Sequence, residues 1–153
     1  MEPRQDSNLN FSISRAGLGR SIGGLGGSGP AGFGAGGTVD AQAARHEWAC
    51  FAAHQAVEKA LKGLNLALGQ QAWGHTLTRL WAVLPQQDWQ PGPPEGLEDR
   101  LRLLDGFYIP TRYPDSYPEG TPGEHFGRLQ SEQALLHARA ITEWIRAALA
   151  SRR

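Results

Sequence analysis

Apolar positions recur along most of this chain at intervals of three and four residues, the period of a helix with one buried face. The longest such stripe runs through Cys50, His54, Val57, Leu61, Leu64 and Leu68, with spacings 4, 3, 4, 3, 4. Trp48, Phe51, Ala53 and Ala60 widen it, whereas Gln55, Glu58, Lys59 and Lys62 fall on the flanking polar side. Glu58 and Lys62 stand in the favourable i, i+4 order. Thr38 and Asp40 are candidate N-caps for this helix and Gly69 its stop signal.

A shorter helix is predicted over "HTLTRLWAVL", with Leu77, Leu80, Trp81 and Leu84 on one face, before "PQQDWQPGPP" breaks the pattern. A third runs from about Glu95 to Tyr108, placing Leu97, Leu101, Leu104 and Tyr108 inward and Asp99, Arg102 and Asp105 outward. A fourth, over residues 129–150, carries Ala134, Ala138, Ile141, Ile145 and Leu149. No stretch alternates as a strand. The pattern therefore predicts an all-α, up-and-down helical bundle of two long and two shorter helices, with a long loop between the third and the fourth.

Residues 17–37 change the picture at the N-terminus, since eleven of the 21 are glycine. At that density the backbone entropy lost on ordering is large, so residues 1–37 are read as a disordered, Gly-rich segment ahead of a helical domain at 38–153. The run "GLGRSIGG" lacks the Gly-Lys-Ser/Thr ending and the preceding strand of a phosphate loop.

Charge and cysteine content narrow the function classes. Fifteen basic and fifteen acidic residues balance, so no global field draws the chain to nucleic acid. The single Cys50 cannot form an internal disulfide and lies in an apolar run, which reads as a buried thiol of a reduced, intracellular protein, cytoplasmic by default with the nucleus as the alternative. His46, Cys50 and His54 recur every fourth residue but lack a fourth ligand, and no metal site is expected. No apolar run reaches the roughly 18 residues that cross a bilayer.

The segment "YIPTRYPDSYP", from Tyr108 to Pro118, is the most unusual stretch. Prolines at 110, 114, 118 and 122 fix φ repeatedly, so the segment is expected to be extended rather than helical. Arg112 has the fork geometry to clamp a carboxylate or phosphate, and Asp115 can close a turn or pair with that arginine.

Taken in order, "AAHQAVEKALKGL", "GHTL" and "TRYPD" make residues 45–150 resemble the HEPN domain, and more narrowly the HEPN domain at the C-terminus of sacsin. The resemblance implies a helical bundle that forms homodimers. It also implies one of two roles: a metal-independent ribonuclease, or a non-catalytic module that dimerises or binds nucleotide in chaperone-related proteins. Such domains begin with a helix ahead of the first motif, where this chain has its glycine-rich tract. The nuclease members carry an arginine followed, after four to six residues, by a histidine. Here Arg128 and His137 have eight residues between them, which on a helix sets them on opposite faces, and Arg112 and His125 have twelve. The expected role is therefore the non-catalytic one. Arg112, Tyr113, Asp115, Lys59 and Lys62 are the candidate ligand residues, for GTP, ATP or another anion, and His54, Glu58, His75 and Tyr108 are structural members of the motif. A chaperone or other protein is the expected further partner; no catalytic residue, membrane or nucleic-acid partner is expected.

Overall fold

The computed structural model describes residues 38, 41–42, 44–111, 113 and 117–153. The glycine-rich segment 1–37, the candidate cap Asp40, and Arg112 and Asp115 lie outside the described residues. Among the described residues the regular structure is entirely helical. α1 spans His46–Ala67, α2 Leu77–Ala82, α3 Leu97–Asp105, α4 Pro122–His125 and α5 Arg128–Ala150.

The long first helix starts later than its caps suggest. Ala44 sits at φ 59, a left-handed conformation that interrupts helical geometry, and α1 begins two residues on with Arg45 at its N-cap. Glu47 in the first turn complements the positive end of the helix dipole. Its far end follows the sequence signal. Gly69 takes φ 74, Gly69 N–H donates to Leu66 O at 3.0 Å, and Gln70 N–H donates to Asn65 O at 2.9 Å. Those two bonds are a Schellman closure, which glycine adopts without Cβ strain.

α1 packs most extensively against α5. Its inward face carries Ala49, Ala53, Ala56 and Ala60 beside Val57, Leu61 and Leu64, and α5 offers Ala134, Ala138, Ile141 and Ile145, all buried. Small residues let the two axes approach while the branched side chains fill the remaining space. Each fully buried leucine or isoleucine there contributes about 1.5–3 kcal/mol of apolar burial, which outweighs anything the surface ion pairs supply. Asn65, wholly buried in the same helix, donates from Nδ2 to Leu61 O at 2.9 Å and Leu80 O at 3.1 Å, and so stitches α1 to α2.

The connection after α2 returns to the bundle through three tryptophans. Trp81, Trp89 and Trp144 lie 5.6–6.0 Å apart between ring centres. Trp144 Nε1 donates to Pro91 O at 2.9 Å and Arg152 lies over the Trp89 ring.

Two details depart from the sequence expectation. The long loop contains a one-turn helix, α4, held at its start by Glu124: Thr121 N–H and its hydroxyl both donate to Glu124 Oε2, and Glu124 N–H donates to Thr121 O at 3.0 Å, with Pro122 at the first helical position. The start of the Tyr108–Pro118 segment is also less extended than its prolines imply. Thr111 N–H donates to Phe107 O at 3.3 Å and Tyr113 N–H to Ile109 O at 3.2 Å, so the chain winds in single helical turns past Pro110. Proline is compatible with such a first turn because the N–H it lacks has no partner there.

Candidate functional site

One face of α1 presents His54, Phe51 and Glu58 toward the start of α2 and the end of α3. His54 is wholly buried and Glu58 is only 7 % exposed, which corrects the expectation that Glu58 lies on a solvated flank. What buries it is the loop ahead of α2, which brings His75 across the helix. Glu58 Oε1 accepts from Lys62 Nζ at 2.8 Å and from His75 Nδ1 at 3.0 Å, so one carboxylate oxygen joins two helical turns and a loop. Because Glu58 accepts, His75 carries its proton on Nδ1 in this contact.

Asp105 is the second acid of the cluster, and it was expected to point outward. Instead Oδ1 accepts from Leu77 N–H at 2.7 Å, and Oδ2 accepts from Thr78 N–H at 3.1 Å and the Thr78 hydroxyl at 3.0 Å. Thr76, at the N-cap position of α2, makes no side-chain cap bond. The job passes to a carboxylate from another helix, which also sits at the positive end of the α2 dipole. Periodicity along a single helix carries no sign of a cap supplied from elsewhere in the fold, so Asp105 is the site residue that sequence reasoning missed.

His54 lies between the two acids, Nε2 3.4 Å from Asp105 Oδ1 and Nδ1 3.8 Å from Glu58 Oε2. Burial raises the Asp105 carboxyl, but the His54 imidazole, the Leu77 and Thr78 amides and the Thr78 hydroxyl together outweigh it and hold the carboxyl below its ordinary range. Tyr108 completes the cluster. Its ring stacks on His75 at 5.3 Å and 15°, tilts against His54 at 4.7 Å and lies near-parallel to Phe51 at 6.2 Å.

Four of the expected motif residues, His54, Glu58, His75 and Tyr108, therefore come together, and Lys62 joins them through Glu58. Lys59 is exposed and makes no ion pair among the described residues, and Tyr113 is 49 % exposed. Other candidate chemistry is occupied elsewhere. Burial, with Glu47 nearby, pushes the Cys50 thiol up to about 12, which rules against a nucleophile at neutral pH. His46 Nδ1 donates to Ser131 Oγ at 2.8 Å, since that hydroxyl itself donates to Arg128 O. His137 Nδ1 accepts from Arg100 Nη1 at 2.9 Å, and Arg128 leans toward Glu132, 3.9 Å away. No cluster among the described residues has the His, Cys, Asp and Glu arrangement to hold a metal ion, and no helix among them is long and apolar enough to cross a membrane.

The model of the HEPN domain family matches residues 38–148. The chain belongs to the HEPN domain family. Two solved structures agree with that placement. TT1696 from Thermus thermophilus is 43 % identical, with a TM-score of 0.68 over 74 % of this chain and 87 % of that one. ST0689, described as an archaeal HEPN homologue, is 31 % identical, with a TM-score of 0.54 over 74 % of this chain and 91 % of that one. No curated protein sequence matches. HEPN domains are helical modules that commonly form dimers. In this HEPN chain the segments 52–64, 74–77 and the start of the 108–118 loop, far apart in sequence, converge on the Glu58 cluster.

Proposed function

We propose that this chain is a non-catalytic HEPN interaction module of the sacsin type. It self-associates and takes a nucleotide or another anionic ligand at Lys62 and His75, with Lys59, Arg112, Tyr113 and Asp115 as further candidate ligand residues. The observation that carries this reading is the convergence of two signature segments, 52–64 and 74–77, with Tyr108 on one cluster whose rim, Lys62 and His75, faces solvent, with side-chain exposures of 33 % and 57 %. Self-association is supported by α5, which leaves Leu129 and Leu136 exposed seven residues apart on one helical face. A chaperone-linked partner in the cytoplasm suits such a module.

Titration with GTP and ATP, followed by the fluorescence of the five tryptophans, tests the ligand. A saturable change is the expected result, and none at millimolar nucleotide overturns it. Sedimentation at tens of micromolar protein tests the assembly: a dimer that Leu136→Glu converts to monomer is expected, and monomer throughout rejects self-association.

One contact favours a second reading, a metal-independent ribonuclease. Arg100 and His137, from α3 and α5, meet at 2.9 Å although no short sequence spacing links them. Cleavage of structured RNA by the purified chain, abolished by His137→Ala, or by Arg112→Ala with His125→Ala, would establish that activity and displace the first reading.

A further inference from the structure

Aromatic rings on this face form a continuous series. Trp48 meets Phe51 edge-on at 6.2 Å, Phe51 lies near-parallel to Tyr108 at 6.2 Å, and Tyr108 stacks on His75 at 5.3 Å. Among the described residues the series stops at His75. Tyr108 covers one face of that imidazole and Glu58 holds Nδ1, so the 57 % of the side chain open to solvent is its other face and the Nε2 edge. The ring is also fixed in orientation, because a buried carboxylate and a stacked phenol hold it from two directions. A preorganised, half-exposed ring loses little freedom when a second ring settles on it.

Lys62 shares the Glu58 oxygen with that ring. Its Nζ is 2.8 Å from the Glu58 oxygen that accepts from His75, which sets a cation within a few ångströms of the imidazole edge. A flat surface next to a cation fits a ligand that has a planar ring at one end and a negative charge at the other. Base stacking on aromatic side chains combined with a cation for phosphate is the general physics of nucleotide recognition.

We infer that the outer face of His75 is the base-stacking subsite for a nucleoside 5′-phosphate, with Lys62 facing its phosphate; this rests on the anionic-ligand reading above and specifies its chemistry. Glu58 acts here as a positioning residue, holding both the imidazole and the ammonium in place. The base extends the Phe51–Tyr108–His75 series by one ring.

The test compares AMP with ribose 5-phosphate, which keeps the phosphate and lacks the base, by calorimetric titration of the full chain. Stacking on one ring makes AMP bind about tenfold more tightly than ribose 5-phosphate. His75→Ala removes that difference, whereas His75→Phe, which keeps a flat ring, retains most of it. The NMR signals of the His75 ring protons shift upfield with AMP and stay in place with ribose 5-phosphate. Equal affinities for the two ligands in the unaltered chain, or an AMP advantage that survives His75→Ala, overturns the stacking subsite and leaves the anionic-ligand reading standing. Failure of both ligands to bind overturns the two together.

Discussion

Asp105, the last residue of α3, caps Leu77, the first residue of α2, across 2.7 Å. A six-residue helix cannot sustain itself in water, since nucleation is unfavourable and only a few hydrogen bonds follow it. The cap therefore adds to the burial of Leu77 and Leu80 and the Asn65 bond in holding α2 in position, and with it the loop that brings His75 over Glu58. Replacing a capping carboxylate by alanine costs about 1–2 kcal/mol. Asp105→Ala is expected to lower the urea midpoint accordingly, and Asp105→Asn, which still accepts a bond, to lose less. Equal losses for the two variants would contradict a capping role. The pH dependence has a definite sign. Asp105 titrates below its ordinary value of 3.8, so its contribution is complete above that value and is lost as pH falls through the lower folded one.

Arg100 and His137 make a second pH-sensitive contact of opposite chemical kind. Burial and the adjacent guanidinium both lower the His137 imidazole from its ordinary 6.5, because the neutral ring is the form that can accept from Arg100 Nη1. A group depressed in this way binds its proton more readily in the unfolded chain. Stability should therefore fall as pH drops below about 6.5 and level off once pH has passed the depressed folded value. Thermal melts of the native chain and of His137→Gln between pH 7.5 and pH 5 check this: the variant's melting temperature should change less over that interval.

Much of the bundle was legible in the sequence because burial imposes the helical period. The stripe through Cys50, Val57, Leu61 and Leu64 is buried, as are Leu97, Leu101 and Leu104. Gly69 closes α1 as its type suggests. What escaped the pattern was tertiary. Glu58 looks like a surface residue by its position on the helix, and only a loop from elsewhere in the chain covers it. Asp105 looks outward on α3, and only the start of α2 gives its oxygens a purpose. The one-turn α4 did carry a local mark, the Thr121-Pro-Gly-Glu124 capping pattern, which the run of prolines masked.

Cys50 offers a direct probe of the core. Its side chain is wholly buried and its thiol is pushed up to about 12, so the reactive thiolate is scarce at pH 8 and shielded from reagent. Ellman's reagent should therefore modify the native chain slowly and the urea-unfolded chain at the rate of a free thiol. Fast native modification would place Cys50 outside the α1 core face. Cys50→Ala should leave the fold intact at a modest cost in stability, whereas Cys50→Asp should prevent folding by burying an unpaired charge.

Gly120 tests the loop that joins the Tyr108 segment to α5. Its φ is 82, and a Cβ there would lie 2.8 Å from Glu124 Oε2, the oxygen that accepts from both the amide and the hydroxyl of Thr121. Those bonds lower the Glu124 carboxyl despite its exposure, so the α4 cap depends on an oxygen the new methyl would displace. Gly120→Ala brings a left-handed alanine and a displaced cap together. The backbone strain alone is worth about 1 kcal/mol or more. The variant should lower the urea midpoint and speed amide exchange at Thr121 and Glu124, with α1 and the buried face of α5 protected as before. Unchanged exchange at Thr121 would mean that the capping box forms without the glycine.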